Sequence, residues 1–218
     1  GYIVVLDKTP FYAESGGQVG DVGSISFDGN ELNVIDVQKQ SEMIVHICKG
    51  NVSSWNKASN VQCVVDASHR NNVKRNHTAT HLLHASLKAV LGDQVQQAGS
   101  LVHPDYLRFD LTFFEKISKD QIREIEQIVN SQILLNSSLH VSVKAYDEAI
   151  NSGVVALFGE KYGEQVRVVS TGKFSNELCG GTHVESTGDI GLFKIVEESS
   201  LASGVRRIVA VTGEAALK

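Results

Sequence analysis

The sequence predicts an α+β chain of two packed units: a β-rich unit over residues 1–65, read as a small barrel, and an α+β unit over residues 66–218. Three observations carry this reading. Before residue 65, apolar residues come in short Val- and Ile-rich runs broken by Gly, Asn and Asp, the texture of strands and turns. After it they recur at intervals of three and four, the texture of amphipathic helices. Toward the C-terminus alternation returns in several segments, as a sheet covered on one face by helices requires.

Taken in order, strands are expected at Tyr2–Leu6, Leu32–Val37, Met43–Ile47 and Val61–Val65, and "FDGNEL" (27–32) reads as a hairpin turn. Residues from His77 to about 91 are expected to be helical and to stop at Gly92. Ser118 and Gln121 make a capping box ahead of Ile122, Ile125, Ile128, Val129 and Ile133, so a second helix is expected over about residues 119–135. "LHVSVKAY" (139–146), "QVRVVS" (165–170), "LFKIVEE" (192–198) and "RRIVAVTG" (206–213) suit strands. There is no internal repeat and no low-complexity linker.

Composition narrows the function. The 3 cysteines, Cys48, Cys63 and Cys179, are neither even in number nor dense, which argues against a secreted disulfide framework and for a reducing compartment, the cytoplasm. A net charge of −5 disfavours a protein that grips nucleic acid over its whole surface, so any RNA contact must be local. No stretch has the apolar length of a membrane span and the N-terminus carries no basic leader, so a soluble chain without a membrane partner is expected.

The chemistry-bearing residues fall in two clusters. In "HTATHLLH" (77–84), one residue turns a helix by about 100 degrees, so His77, His81 and His84 share a stripe. Ala79, Leu82, Leu83, Leu87 and Val90 take the other side, which frees the imidazoles to line a cleft. Two imidazoles four residues apart can converge on one metal ion, and neutral nitrogen suits zinc; a bare HxxxH equally describes two hydrogen-bonded helix histidines. A metalloprotease needs glutamate directly after the first histidine, and Thr78 stands there, which excludes that reading. In "ELCGGTHV" (177–184), Cys179 and His183 stand four apart around Gly180 and Gly181, where a loop can fold both side chains toward one point; a buried thiol beside a tight turn is the alternative. Together His77, His81, Cys179 and His183 make a set of the number and softness of a tetrahedral zinc site.

Two other features are weaker. "ESGGQVGDVG" (14–23) lacks the Lys-Ser/Thr ending of a phosphate loop and reads as backbone turns at the barrel's edge. Arg70, Lys74 and Arg75, with Arg206 and Arg207, are basic residues in an acidic chain; they suit phosphate contacts or simply a solvated helix face and strand end.

"TPFYAESGGQVGD" (9–21), "RNHTATHLLH" (75–84), "QAGSLV" (97–102), "FGEKYG" (158–163), "ELCGGTHVESTGDIG" (177–191) and "GVRRIVAVTG" (204–213) together resemble the editing region of alanyl-tRNA synthetases, in that family's order and over nearly the whole chain. Free-standing editing proteins share much of the pattern, and threonyl-tRNA synthetases carry a more distant version. The ending "GEAALK" resembles the start of a helix that leads onward in a full-length enzyme, which favours a fragment. The resemblance implies a translation-protein-type barrel followed by the two-layer α+β domain shared by threonyl- and alanyl-tRNA synthetases.

It further implies hydrolysis of the ester between serine or glycine and the 3′ end of alanine tRNA, with one Zn2+ at the site. ATP would concern only the aminoacylation domain, which has no counterpart here; the remaining domains of the synthetase are expected partners. Thr80 and Gln97 match positions that line the family's editing pocket and are expected to meet the serine hydroxyl. By the same resemblance Gly16, Gly17 and Gln18 border the cleft where the tRNA end enters, and Arg75, Arg206 and Arg207 are candidate tRNA contacts. Three classes of function compete: an editing deacylase, a zinc-stabilised tRNA-binding module without chemistry, and a purely structural zinc domain. Only the first gives polar residues beside the ligands a purpose.

Overall fold

Phe27 and Asn30 face one another across a two-residue turn, Asp28-Gly29, in which both residues have positive φ (46° and 75°). That is the backbone a tight hairpin's twist requires, and Asp-Gly supplies it at little cost. In this computed structural model, which describes residues 1–52, 60–156 and 162–218, the turn joins strands β2 (Gly23–Phe27) and β3 (Asn30–Gln40). With β1 (Tyr2–Val5), β4 (Met43–Lys49) and β5 (Gln62–Val65) they form one antiparallel sheet in the order β1-β4-β3-β2-β5. Alternation along β3 buries Leu32, Val34 and Val37 with Val4, Phe11, Ile25, Phe27 and Cys48. Among the described residues no ladder joins β1 to β5, so the expected barrel is observed as a five-stranded sheet around its own core.

Helix α1 (Ala67–Leu91) begins ten residues before the expected His77. Asp66 caps it by accepting from the His69 N–H at 2.9 Å, which satisfies one of the orphan donors of the first turn. It ends where expected: Gly92 takes φ 104° and its N–H returns to the Lys88 carbonyl. Strands β6 (Gln97–Val102) and β7 (Leu107–Thr112) follow, then α2 (Lys119–Leu134) behind the Ser118–Gln121 capping box. Next come β8 (Leu139–Ala145), the short α3 (Tyr146–Asn151), β9 (Gln165–Thr171), β10 (Ser175–Leu178), β11 (Phe193–Ala202) and β12 (Val205–Thr212), with single 3-10 turns at Thr187–Ile190 and Gly213–Leu217.

Two antiparallel sheets result, β11-β12-β7-β6 and β10-β9-β8. Ala79, Leu82, Leu83 and Leu87 of α1 and Ile125, Val129 and Ile133 of α2 pack on Leu107, Phe109, Leu111, Ile208 and Ala210 of the four-stranded sheet. Cutting one fully buried leucine such as Leu82 back to alanine costs about 2–5 kcal/mol by this burial. The three-stranded sheet meets α1 through β10, so that Cys179, directly after Leu178, comes against His77 in the helix. The glycine segment 15–19 crosses to β6: Val102 N–H donates to the Gly17 carbonyl at 2.7 Å and Val19 N–H to the Val102 carbonyl at 3.1 Å. No helix among the described residues is long and apolar enough to cross a membrane.

Candidate metal centre and adjoining pocket

The apolar stripe of α1 fixes which way its histidines point. With Leu82, Leu83 and Leu87 committed to the core, His77 and His81 project toward the end of β10. The chain leaves that strand through Cys179 and bends at Gly180-Gly181 to present His183. One ligand atom from each of His77, His81, Cys179 and His183 lies within 4.8 Å of all the others. Cys179 Sγ is 3.3 Å from His77 Nε2 and 3.2 Å from His183 Nε2, while the three imidazole centroids are 4.3–5.3 Å apart. Donors about 2.0–2.3 Å from a common centre sit at this kind of spacing from one another, so the set fits a tetrahedral ion.

The atoms behind the donors support that fit. His77 Nδ1 is 2.6 Å from Gln18 Oε1, His183 Nδ1 is 3.1 Å from Thr78 Oγ1, and His81 Nδ1 is 3.7 Å from Glu177 Oε2. The His77 and His183 rings are therefore held through Nδ1 with Nε2 facing Cys179, the arrangement that orients metal-ligating histidines, while His81 has only the ion-pair approach of Glu177 at its Nδ1. Arg167 holds the loop: its Nη1 donates to the carbonyls of Cys179 and Gly181, both at 2.8 Å. Of the two loop glycines only Gly181 is sterically required, since a Cβ there would overlap the His77 ring and Gln18, whereas a Cβ on Gly180 meets nothing within 4 Å. His84, on the same stripe two turns away, stays outside the cluster; its Nδ1 lies 3.1 Å from Glu177 Oε1.

Charge is distributed to match. Burial by itself would push the Cys179 thiol up, but His77 beside it and hydrogen bonds from His183, His77 and His81 hold it far below the usual thiol range, so the group stands as a thiolate, the form that binds metal. Burial lowers His183, and neighbouring His77 lowers it further. His81 goes the other way: burial opposes its charge, yet the Glu177 carboxylate and the Cys179 thiolate overcome this and raise it.

A cavity of about 260 Å³ opens onto this cluster. Thr80 and Gln97 line it, as do Gly16, Ser100, Tyr12 and Arg167. Thr80 is buried and its hydroxyl donates to the Asn76 carbonyl at 2.8 Å, which leaves its lone pairs to accept. Gln97 Nε2 lies 3.3 Å from Ser100 Oγ. Tyr12 lies half-buried beside the cluster; burial and the nearby Cys179 push its phenol up to about 12.

Other expected residues are placed differently. Gln18 is fully buried behind His77 and does not border the opening, because its amide is taken up by His77 and Thr182. Gly17 faces β6, where a Cβ would come 2.6 Å from the Ser100 carbonyl oxygen. Arg75, Arg206 and Arg207 are not among the lining residues. Arg75 donates to the Asp189 carbonyl at 2.9 Å, Arg206 pairs with Glu198, and Arg207 makes two bonds to Asp110, at 2.7 and 2.9 Å. Residues 158–161 of "FGEKYG" lie outside the described residues, while Tyr162 and Gly163 line the cavity.

Sequence reasoning undervalued Glu177, Thr78 and Arg167. For Glu177 a signal existed: it stands two residues before Cys179 on β10, and period-two alternation turns both to the same side. Thr78 and Arg167 left none, because their partners are 105 and 12 or more residues away in the chain.

Comparison with known proteins agrees with the geometry. Residues 166–209 match the threonyl and alanyl tRNA synthetase second additional domain, and residues 1–69 match class II (A) tRNA synthetases. The chain is 52% identical over 217 residues to an alanine–tRNA ligase of Pseudoalteromonas translucida and 53% identical over 215 residues to that of Halorhodospira halophila, in each case across 99% of the chain. The ligase of Hydrogenovibrio crunogenus is 54% identical over 214 residues. In each the match covers 25% of the relative, so the chain spans about a quarter of the length of the curated proteins it resembles. With the two ligand-bearing motifs inside the aligned span, the chain is, over 99% of its length, a homologue of alanine–tRNA ligases.

Proposed function

We propose that this chain is an editing module that hydrolyses the ester of serine or glycine on alanine tRNA, with one zinc ion held by His77, His81, Cys179 and His183. The observation that carries the reading is the juxtaposition of a cavity of about 260 Å³ with the four-donor cluster, with Thr80 and Gln97 among the residues that line the cavity. An aminoacylation pocket for alanine cannot strongly reject serine, which adds only a hydroxyl, nor exclude the smaller glycine, so a second site must choose. Thr80 Oγ1 offers an acceptor and the Gln97 amide both a donor and an acceptor. A serine hydroxyl satisfies them, whereas an alanine methyl leaves them dry and unpaired, which costs about 1–3 kcal/mol.

Zinc, when bound, supplies electrostatic stabilisation near the ester carbonyl. The chain's own part is to hold the acyl group against Thr80 and Gln97 and to keep Cys179 deprotonated through its imidazole neighbours. The 1–65 and 66–218 units act together, since Gly16 and Gly17 of the first reach the cavity and β6 of the second. Arg75, Arg206 and Arg207 remain proposed tRNA contacts, the last two only where phosphate displaces Glu198 and Asp110. The remaining domains of a synthetase would contribute most of the tRNA grip.

A deacylation assay with alanine tRNA carrying serine, glycine or alanine tests the reading. Serine and glycine esters should be lost faster with the protein, the alanine ester spared, and a chelator should remove the difference. Thr80→Val should narrow the serine-over-alanine preference by about 10- to 100-fold. A closed set of four donors, three of them buried, also describes a purely structural ion. That reading takes over if serine ester lifetimes are the same with and without the protein while zinc is bound at one equivalent.

A further inference from the structure

The Gln18 side chain is hydrogen-bonded both to a ligand on the helix, His77, and to Thr182 in the loop that carries Cys179 and His183. It belongs to the glycine segment of the N-terminal unit, is fully buried, and reaches His77 on α1 and Thr182 in the Cys179–His183 loop. Its orientation is determined. The Thr182 backbone N–H, 2.9 Å away, can only donate, so the atom it meets must be the amide oxygen. Nε2 then points to Thr182 Oγ1 at 3.0 Å. His77 Nδ1, 2.6 Å from the same oxygen, must therefore carry a proton, so in the neutral ring that a metal ion requires it is Nε2, facing Cys179, that offers the lone pair.

We propose that Gln18 is a positioning residue for the metal centre, setting the tautomer of His77 and the distance between the helix and loop ligands, and so making the N-terminal unit part of the site. The absence of a side chain at Gly181 belongs to the same device, because any Cβ would occupy the space in which His77 and Gln18 meet. The proposal rests on metal binding by the four donors; if the unaltered protein takes up no zinc, that reading fails first.

The test is competition of zinc with a chromophoric chelator, paired with the visible absorption of the cobalt-substituted protein, on the unaltered chain and three variants. Gln18→Leu keeps the volume and loses all three side-chain hydrogen bonds; Gln18→Asn keeps the amide but is too short to reach His77. Both should weaken metal binding by about 10- to 100-fold and alter the cobalt spectrum. Gln18→Glu keeps an acceptor for His77 and Thr182 and should restore affinity to within a few-fold. A merely structural role would lower the thermal midpoint of the metal-free protein and leave affinity and spectrum alone. If Gln18→Leu does not fold, Gln18→Asn decides: unaltered affinity and spectrum in either folded variant while the parent chain binds zinc overturns the proposal.

Discussion

His46 and the His77–His81–His183 group are both buried imidazoles in polar company, yet they do opposite things. His46, in the N-terminal sheet, donates from Nδ1 to the Val4 carbonyl at 2.9 Å and accepts at Nε2 from the Thr9 hydroxyl at 2.7 Å, with the Phe11 ring edge against it. Both nitrogens are satisfied by neutral protein groups and nothing further is needed. In the other group Nδ1 is likewise held, but the Nε2 atoms of His77 and His183 turn inward on one sulfur. Burial alone therefore does not separate a structural histidine from a ligand. The separation comes from whether the second nitrogen ends on a partner of its own or on a point shared with other donors.

The largest expected effect is at the shared point. Cys179→Ala should reduce zinc affinity by more than the about 10- to 100-fold that an outer partner costs, read by chelator competition, whereas His46→Ala should leave one equivalent of zinc in place. The second prediction inverts the first. His46→Ala strands the Val4 carbonyl and the Thr9 hydroxyl in a core and should cost about 2–3 kcal/mol of unfolding free energy in denaturant titrations, with or without metal. A zinc loss in that variant would erase the distinction between the two regions.

The third concerns pH in the metal-free protein. Glu177 is lowered from its ordinary 4.5, against the burial that opposes its charge, by His81 and His84; it stabilises above about pH 4.5 and less as pH falls through its lowered value. His81 is raised from 6.5 to about 9 against burial, chiefly by Glu177, so its contribution is complete below pH 6.5 and lost as pH rises through about 9. The gap in thermal midpoint between the parent and Glu177→Gln should thus be widest between about pH 4.5 and 6.5 and shrink toward pH 9. A pH-independent gap would mean that Glu177 acts by packing.

The smallest effect is expected at His84, which is intermediate between the two kinds. One nitrogen meets Glu177 at 3.1 Å and the other has no partner among the described residues. His84→Leu should weaken zinc binding by less than about 10-fold, since it reaches the cluster only through Glu177 and His81.

Much of the fold was written locally. Asp28-Gly29 forced a hairpin, Gly92 a helix stop and Ser118–Gln121 a helix start, because each acts through backbone geometry within a few residues. The early start of α1 escaped because the run from Ala67 to Asn76 buries little besides Val73 and Asn76, so its period is faint until the leucines begin. Strand β7 escaped although Leu107, Phe109 and Leu111 alternate with Arg108 and Asp110 and Pro104-Asp105 precede them, because six residues of alternation are a weak signal by themselves. Whether the first unit closes into a barrel depends on edge pairing between distant strands, which alternation within a strand does not encode.

By itself the sequence determined the kinds of candidate donor, their spacing within each motif and the side of α1 on which two of them lie, since helical periodicity and a four-residue loop are local constraints. Only the tertiary structure decided that β10 ends at the middle of α1, that Gln18 lies buried behind His77 instead of at the rim, and that Arg206 and Arg207 are already occupied by carboxylates. Those outcomes depend on which apolar faces pack together. A hydrogen bond spanning 59 residues, as between Gln18 and His77, exists only after that packing has brought its ends together.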